Sequence, residues 1–202
     1  MQVDLVLTEH PSYLGAARAA RYEEIGALLS TIAGHPVEVV QYLDVRALGG
    51  GPVVLSGSSA PWDVHDPAAL DRLGAAVLAA DVPVLGICAG MQLLAEFAGG
   101  RIATMVPAER EELGFGPVEV LDASELLAGL SVRPTVYHDH RDEITLLPPD
   151  FHVLARTEAC EIQAIAAPER RWWGTQFHPE RFDDEHPDGR RILTNFFDLA
   201  AA

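Results

Sequence analysis

The chain has 202 residues, 49% hydrophobic and 22% charged, with 30 acidic residues against 14 basic ones and a formal net charge of −16. Nucleic-acid binders draw most of their affinity from phosphate contacts and carry the opposite sign, so this balance argues against a nucleic-acid partner. Every basic residue is arginine, which removes a Schiff-base or phosphate-loop lysine and leaves any ATP-driven chemistry to another polypeptide.

An apolar run over residues 3–8 reads as a buried strand, and residues 16–32 as a helix with Ile25, Leu28, Leu29 and Ile32 on one face. Valine-rich strands follow over 36–42 and 52–56, then a turn-rich loop from 57 to 66 and a helix over 67–80. Residues 82–87 form a strand that feeds Cys88, and 89–97 a helix stopped by Gly99 and Gly100. Beyond this point the pattern changes to short strands over 116–121, 135–137, 151–157, 162–167 and 172–177. An amphipathic helix over 189–202 uses Ile192, Leu193, Phe196 and Phe197.

The β-α-β-α order of the first half predicts an α/β fold, a mainly parallel open sheet with helices on both faces and extra short strands in the C-terminal half. No repeat, linker or low-complexity tract divides the sequence, so residues 1–202 read as one domain. No apolar run approaches a membrane span and no basic, then apolar, leader is present, so neither insertion nor secretion is expected. Two cysteines far apart, Cys88 and Cys160, fit a reducing cytoplasm.

Chemistry concentrates where a strand meets a helix, at Gly86-Ile87-Cys88-Ala89-Gly90. A sharp strand-to-helix turn needs minimal side chains on either side and pushes its middle residue out at the sheet's carboxyl edge. There the helix N-terminus, with its unpaired N–H groups and dipole, favours a negatively charged sulfur. The partner base is His178 in Gly174-Thr175-Gln176-Phe177-His178-Pro179-Glu180. Pro179 biases His178 to an extended geometry, and residues two apart then project to one side, so Glu180 reaches the ring. Cys88 is thus the nucleophile, His178 the base and acid, and Glu180 the residue that orients it.

Gly-Ile-Cys88-Ala-Gly-Met-Gln followed far downstream by Gln-Phe-His178-Pro-Glu180 resembles the class I, triad-type glutamine amidotransferases. Val54-Leu55-Ser56-Gly57 looks like the strand and turn that carry that family's oxyanion donor. The segments Glu112 to Gly116, His140 to Ile144 and Ala164 to Ala166 are similar to the amidotransferase domain of GMP synthetase in particular. The resemblance implies a flavodoxin-like fold and hydrolysis of the glutamine side-chain amide through a glutamyl thioester. It implies an oxyanion held by N–H groups at Ala89 and near Gly57, and glutamine contacts from Gln92 and from backbone around Asp139 and Arg141. It also implies delivery of ammonia to a synthetase or synthase on another chain, with no cofactor and no metal. Two stretches depart from the family pattern: Gly57-Ser58-Ser59-Ala60-Pro61 lacks a second glycine, and Glu9 to Gly15 lacks an Asp-x-Gly turn.

Other residues receive plainer readings. His138, Asp139, His140 and Asp142 resemble a metal-ligand run, but the family gives that segment a substrate-loop role. Cys160 reads as core filler, Trp172 and Trp173 as one core and one surface residue, and Glu111-Glu112 and 183–185 as solvated loops. Two rival functions share the scaffold: a stand-alone γ-glutamyl amide hydrolase, and a catalytically inactive regulatory module.

Overall fold

The computed structural model describes residues 2–107 and 110–202. Its elements are β1 (Val3–Leu7), α1 (Ala16–Ala33), β2 (Val37–Gln41), β3 (Val53–Leu55), α2 (Pro67–Ala79), β4 (Val84–Ile87) and α3 (Ala89–Phe97). Then come β5 (Arg101–Thr104), β6 (Glu112–Pro117), β7 (Glu119–Val120), β8 (Thr135–His140), β9 (Asp142–Leu146), β10 (His152–Arg156), β11 (Ala164–Ala167), β12 (Trp172–Thr175) and α4 (Asp188–Ala201). Gly34, at φ 67°, closes α1 in the left-handed conformation, and the Asp66 side chain caps α2 at the Ala68 N–H.

Eight strands form one sheet in the order β2-β1-β3-β4-β12-β11-β10-β7. From β2 to β12 neighbours run parallel, and β11, β10 and β7 extend the sheet antiparallel. Ile25 and Leu29 of α1 and Ile192 and Phe196 of α4 pack on one face against Leu5 and Leu85. Leu73 and Val77 of α2 and Leu93 and Leu94 of α3 cover the other against Val6 and Val53. The sheet and its two helical layers match the sequence expectation.

Three local expectations are corrected. Trp172 and Trp173 are both buried, because β12 lies between β4 and β11 in a sheet covered on both faces; alternation sends one indole into each core. The strand expected over 116–121 is two strands, β6 ending at Pro117 and β7 at Glu119–Val120. Strands β5 and β9, absent from the sequence reading, pair as a separate ribbon, and β6 and β8 form another.

The parallel strands all end at one edge, the position where ligands bind in open α/β sheets. Residues 8–9 after β1, 56–60 after β3, Cys88 after β4 and 176–180 after β12 therefore converge. The β6–β8 ribbon reaches the same edge, where Tyr137 bridges to His178.

Candidate active site

Cys88 begins α3 with φ 52° and ψ −110°, a conformation that L-residues rarely adopt and that stores strain. Its N–H donates to the Thr175 carbonyl at 2.7 Å, tying the elbow to β12. The flanking glycines are demanded by contact. A Cβ on Gly86 would lie 2.5 Å from the Gly90 backbone, and one on Gly90 would collide with the Leu55 carbonyl. The thiol is 6% exposed, receives the Gln176 Nε2 at 3.6 Å and faces the Asp139 carbonyl at 3.9 Å. It opens into a cleft of about 590 Å³, a volume suited to a small-molecule site.

His178 follows β12, with its N–H bound to the Tyr137 carbonyl at 2.7 Å and its Nδ1 at 2.7 Å from Glu180 Oε1. The route to this contact differs from the extended segment read in the sequence. Pro179–Arg181 form a turn of 3-10 helix, and that turn carries Glu180 under the ring. Burial opposes the charged imidazole, but the Glu180 charge and the Cys88 side chain outweigh it and hold the His178 pKa well above the usual histidine value. Burial likewise pushes the Glu180 carboxyl up, and the facing imidazolium more than reverses this, leaving it below the usual carboxylate range. A third element meets them: a Cβ on Gly57 would lie 2.9 Å from His178 Cε1 and 3.5 Å from Cys88 Cβ.

Ala89, Gln92, Asp139 and Arg141 all line the cleft, as do Gly57 and Ser58. The Gln92 amide donates to the Asp142 carbonyl and to Gln176 Oε1, both at 3.0 Å, so it pins β9 to the residue that contacts the thiol. Asp139 pairs with Arg181 at 2.8 Å, and that guanidinium lies 3.6 Å over the Tyr137 ring. Sequence reasoning gives no role to Gln176, although it lies inside the quoted histidine motif, nor to Tyr22 and Glu9. Glu9 stands in a stretch noted only for what it lacks.

Glu112, His138 and His140 bring ligand-type atoms within 4.8 Å of one another, the donor set of a zinc site. Asp139 and Asp142 of the sequence run are not part of it; the Asp142 carboxylate takes the Thr104 hydroxyl at 2.8 Å. Gln163 Nε2 donates to the Glu112 carboxylate and lies 3.3 Å from His140 Nε2, so two members of the cluster already share a hydrogen-bond network. Burial holds the His138 pKa below its ordinary value. Glu112, read as part of a solvated loop, is instead partly buried in β6 and bound to His140 at 3.1 Å. Cys160 is fully buried and its thiol is pushed up to about 12 by that burial, which fits core filler.

Residues 35–200 match the family model described as glutamine amidotransferase class-I. The chain belongs to that family. This class I amidotransferase chain is 37% identical over 186 residues to the glutamine-hydrolysing GMP synthase of Ectopseudomonas mendocina, covering 88% of this chain and 33% of that one. It thus spans about a third of that relative's length. It is 37% identical over 171 residues to a subunit of the glutamine-hydrolysing GMP synthase of Methanopyrus kandleri, covering 82% and 86% of the two chains. A protein of Thermoplasma acidophilum solved as a candidate GMP synthase subunit superposes with a TM-score of 0.82 at 27% identity, over 100% of this chain and 94% of that one. No helix among the described residues is long and apolar enough to cross a membrane.

Proposed function

We propose that residues 1–202 act as one amidotransferase domain that hydrolyses glutamine to glutamate and ammonia and passes the ammonia to a synthetase or synthase partner, as in GMP synthesis. The observation that carries this reading is a cysteine on a strained elbow, at a helix N-terminus, in a cleft shared with an imidazole already paired to a buried carboxylate. The Cys88 sulfur attacks the side-chain amide carbon, and the oxyanion falls to N–H groups at Ala89 and at the Gly57–Ser58 peptide. His178, kept protonated by Glu180, gives its proton to the departing nitrogen, and ammonia leaves with the C–N bond. The neutral ring then takes a proton from water, whose oxygen cleaves the glutamyl thioester and frees Cys88. Gln92 contacts the bound glutamine, and backbone around Asp139 and Arg141 holds its amino-acid end.

The test measures glutamate and ammonia from the chain with glutamine, alone and with a cell lysate that supplies a partner. Release is expected from wild type and is expected to fall by at least about 10⁴-fold in Cys88→Ala, the scale on which a lost nucleophile registers. Equal release from the variant overturns the mechanism. Turnover of γ-glutamyl conjugates without turnover of glutamine reassigns the substrate.

A further inference from the structure

We infer that Glu9 is a positioning residue that braces the oxyanion turn from outside, replacing the glycine that the turn lacks; this rests on the glutaminase reading above. The Glu9 side chain is 1% exposed and accepts four hydrogen bonds from one short segment: Ser58 Oγ at 3.1 Å, Ser59 N–H at 3.0 Å, Ser59 Oγ at 2.9 Å and Ala60 N–H at 3.1 Å. Its one cationic neighbour among the described residues is Arg18 Nη1 at 3.4 Å. A buried carboxylate this densely bonded to backbone fixes the segment's shape, because both oxygens act only as acceptors.

The other end of the turn is held as firmly. The Gly57 carbonyl accepts from the Tyr22 hydroxyl and from Ser56 Oγ, both at 2.8 Å. A trans peptide is planar, so a carbonyl pinned in this direction aims the Ser58 N–H the opposite way. That N–H finds no protein acceptor among the described residues, and Ser58 lines the cleft that holds Cys88. Two donors on the carbonyl also polarise the peptide, which strengthens its N–H as a donor. The donor expected near Gly57 is accordingly the Ser58 N–H, with Tyr22 and Ser56 setting its direction and Glu9 keeping the following residues from unwinding it.

Glu9→Gln removes the charge and turns an amide NH₂ toward groups that are themselves donors. Two readouts separate positioning from general damage. Glutamine hydrolysis needs the oxyanion donor; alkylation of Cys88 by iodoacetamide, a direct displacement at sulfur, does not. The kcat for glutamine is expected to fall about ten- to hundredfold, short of the loss of a donor outright, with KM and the iodoacetamide rate within about twofold of wild type. Unchanged hydrolysis overturns the brace and leaves the glutaminase reading standing. A parallel fall of hydrolysis and alkylation marks a merely structural role and overturns it too. Wild type that releases no ammonia, alone or with lysate, overturns the glutaminase reading and the brace with it. Should Glu9→Gln not fold, Tyr22→Phe removes one donor from the Gly57 carbonyl at nearly constant shape. It is expected to show the same split at about threefold to tenfold, and parity with wild type overturns the proposal.

Discussion

The elbow after β4 and the turn after β3 face each other across the Cys88 thiol, yet one is held by close backbone packing and the other by a carboxylate from a different strand end. At the elbow, Gly86 and Gly90 allow two backbones to touch, and the fold absorbs a positive φ at Cys88. At the turn, a Cβ on Gly57 would meet side chains rather than backbone, and Glu9, Tyr22 and Ser56 supply the constraint through hydrogen bonds. A site can thus be rigid on one side by steric exclusion and on the other by polar bracing, and the two sides break differently.

The largest effect is expected on the steric side. In Gly90→Ala the new methyl meets the Leu55 carbonyl and Cβ, main-chain and core atoms that have nowhere to go. Overpacking of this kind typically costs about 1–3 kcal/mol, so thermal unfolding should fall by several degrees as glutaminase activity is lost. Wild-type stability together with wild-type activity would show that the elbow is not sterically fixed.

This division also explains what can be read in the chain. The elbow is local: a strand, a glycine, a cysteine, a glycine and a helix stand next to one another, so the spacing alone marks Cys88 as the candidate nucleophile, and His178-Pro179-Glu180 marks its candidate partner in the same way. The brace is not local. Glu9 and Ser59 are joined only because β1 and β3 are neighbours in the sheet, and no run of residues around Glu9 encodes that. Strand β6 eludes sequence reasoning for a related reason: its apolar side chains Leu113 and Phe115 point out of the ribbon, so its hydrophobic pattern does not report a core. The expectation for the two tryptophans fails because alternation predicts one exposed face, whereas β12 has none.

Glu180→Gln ranks next, since it acts on the imidazole that serves both sides. Burial lowers the His178 pKa and the Glu180 charge, first among the opposing causes, raises it. With the charge removed the first of the raising causes is gone, so the alkaline limb of kcat/KM is expected to move to lower pH, and activity at the optimum to drop about 10²-fold. The sign for folding follows from the same two shifts. The raised His178 pKa contributes stability that is complete below the unfolded value of about 6.5 and is lost as pH rises through the folded one. The lowered Glu180 pKa contributes above its ordinary value of 4.5 and is lost as pH falls through the folded one. The stability gap between wild type and variant should therefore be widest between those two values, measured by thermal melts across pH. An alkaline limb that stays in place would detach Glu180 from His178.

Gly57→Ala is expected to do least, and it separates the two kinds of constraint most directly. The added methyl points at His178 Cε1, 2.9 Å away, and at Cys88 Cβ, 3.5 Å away, so it presses on side chains where Gly90→Ala presses on backbone. A ring edge retreats by tenths of an ångström more cheaply than a carbonyl, and Gly57 needs no left-handed φ, so the melting temperature should hardly change. In the mechanism proposed above the displaced ring is the proton donor for the departing ammonia, and its retreat stretches the geometry between thiol, imidazole and turn. A misplacement on this scale is expected to lower kcat about tenfold with KM nearly constant. If instead Gly57→Ala melts as early as Gly90→Ala, the turn is packed like the elbow, and the contrast between steric and polar bracing fails on the side where Glu9 was needed to explain it.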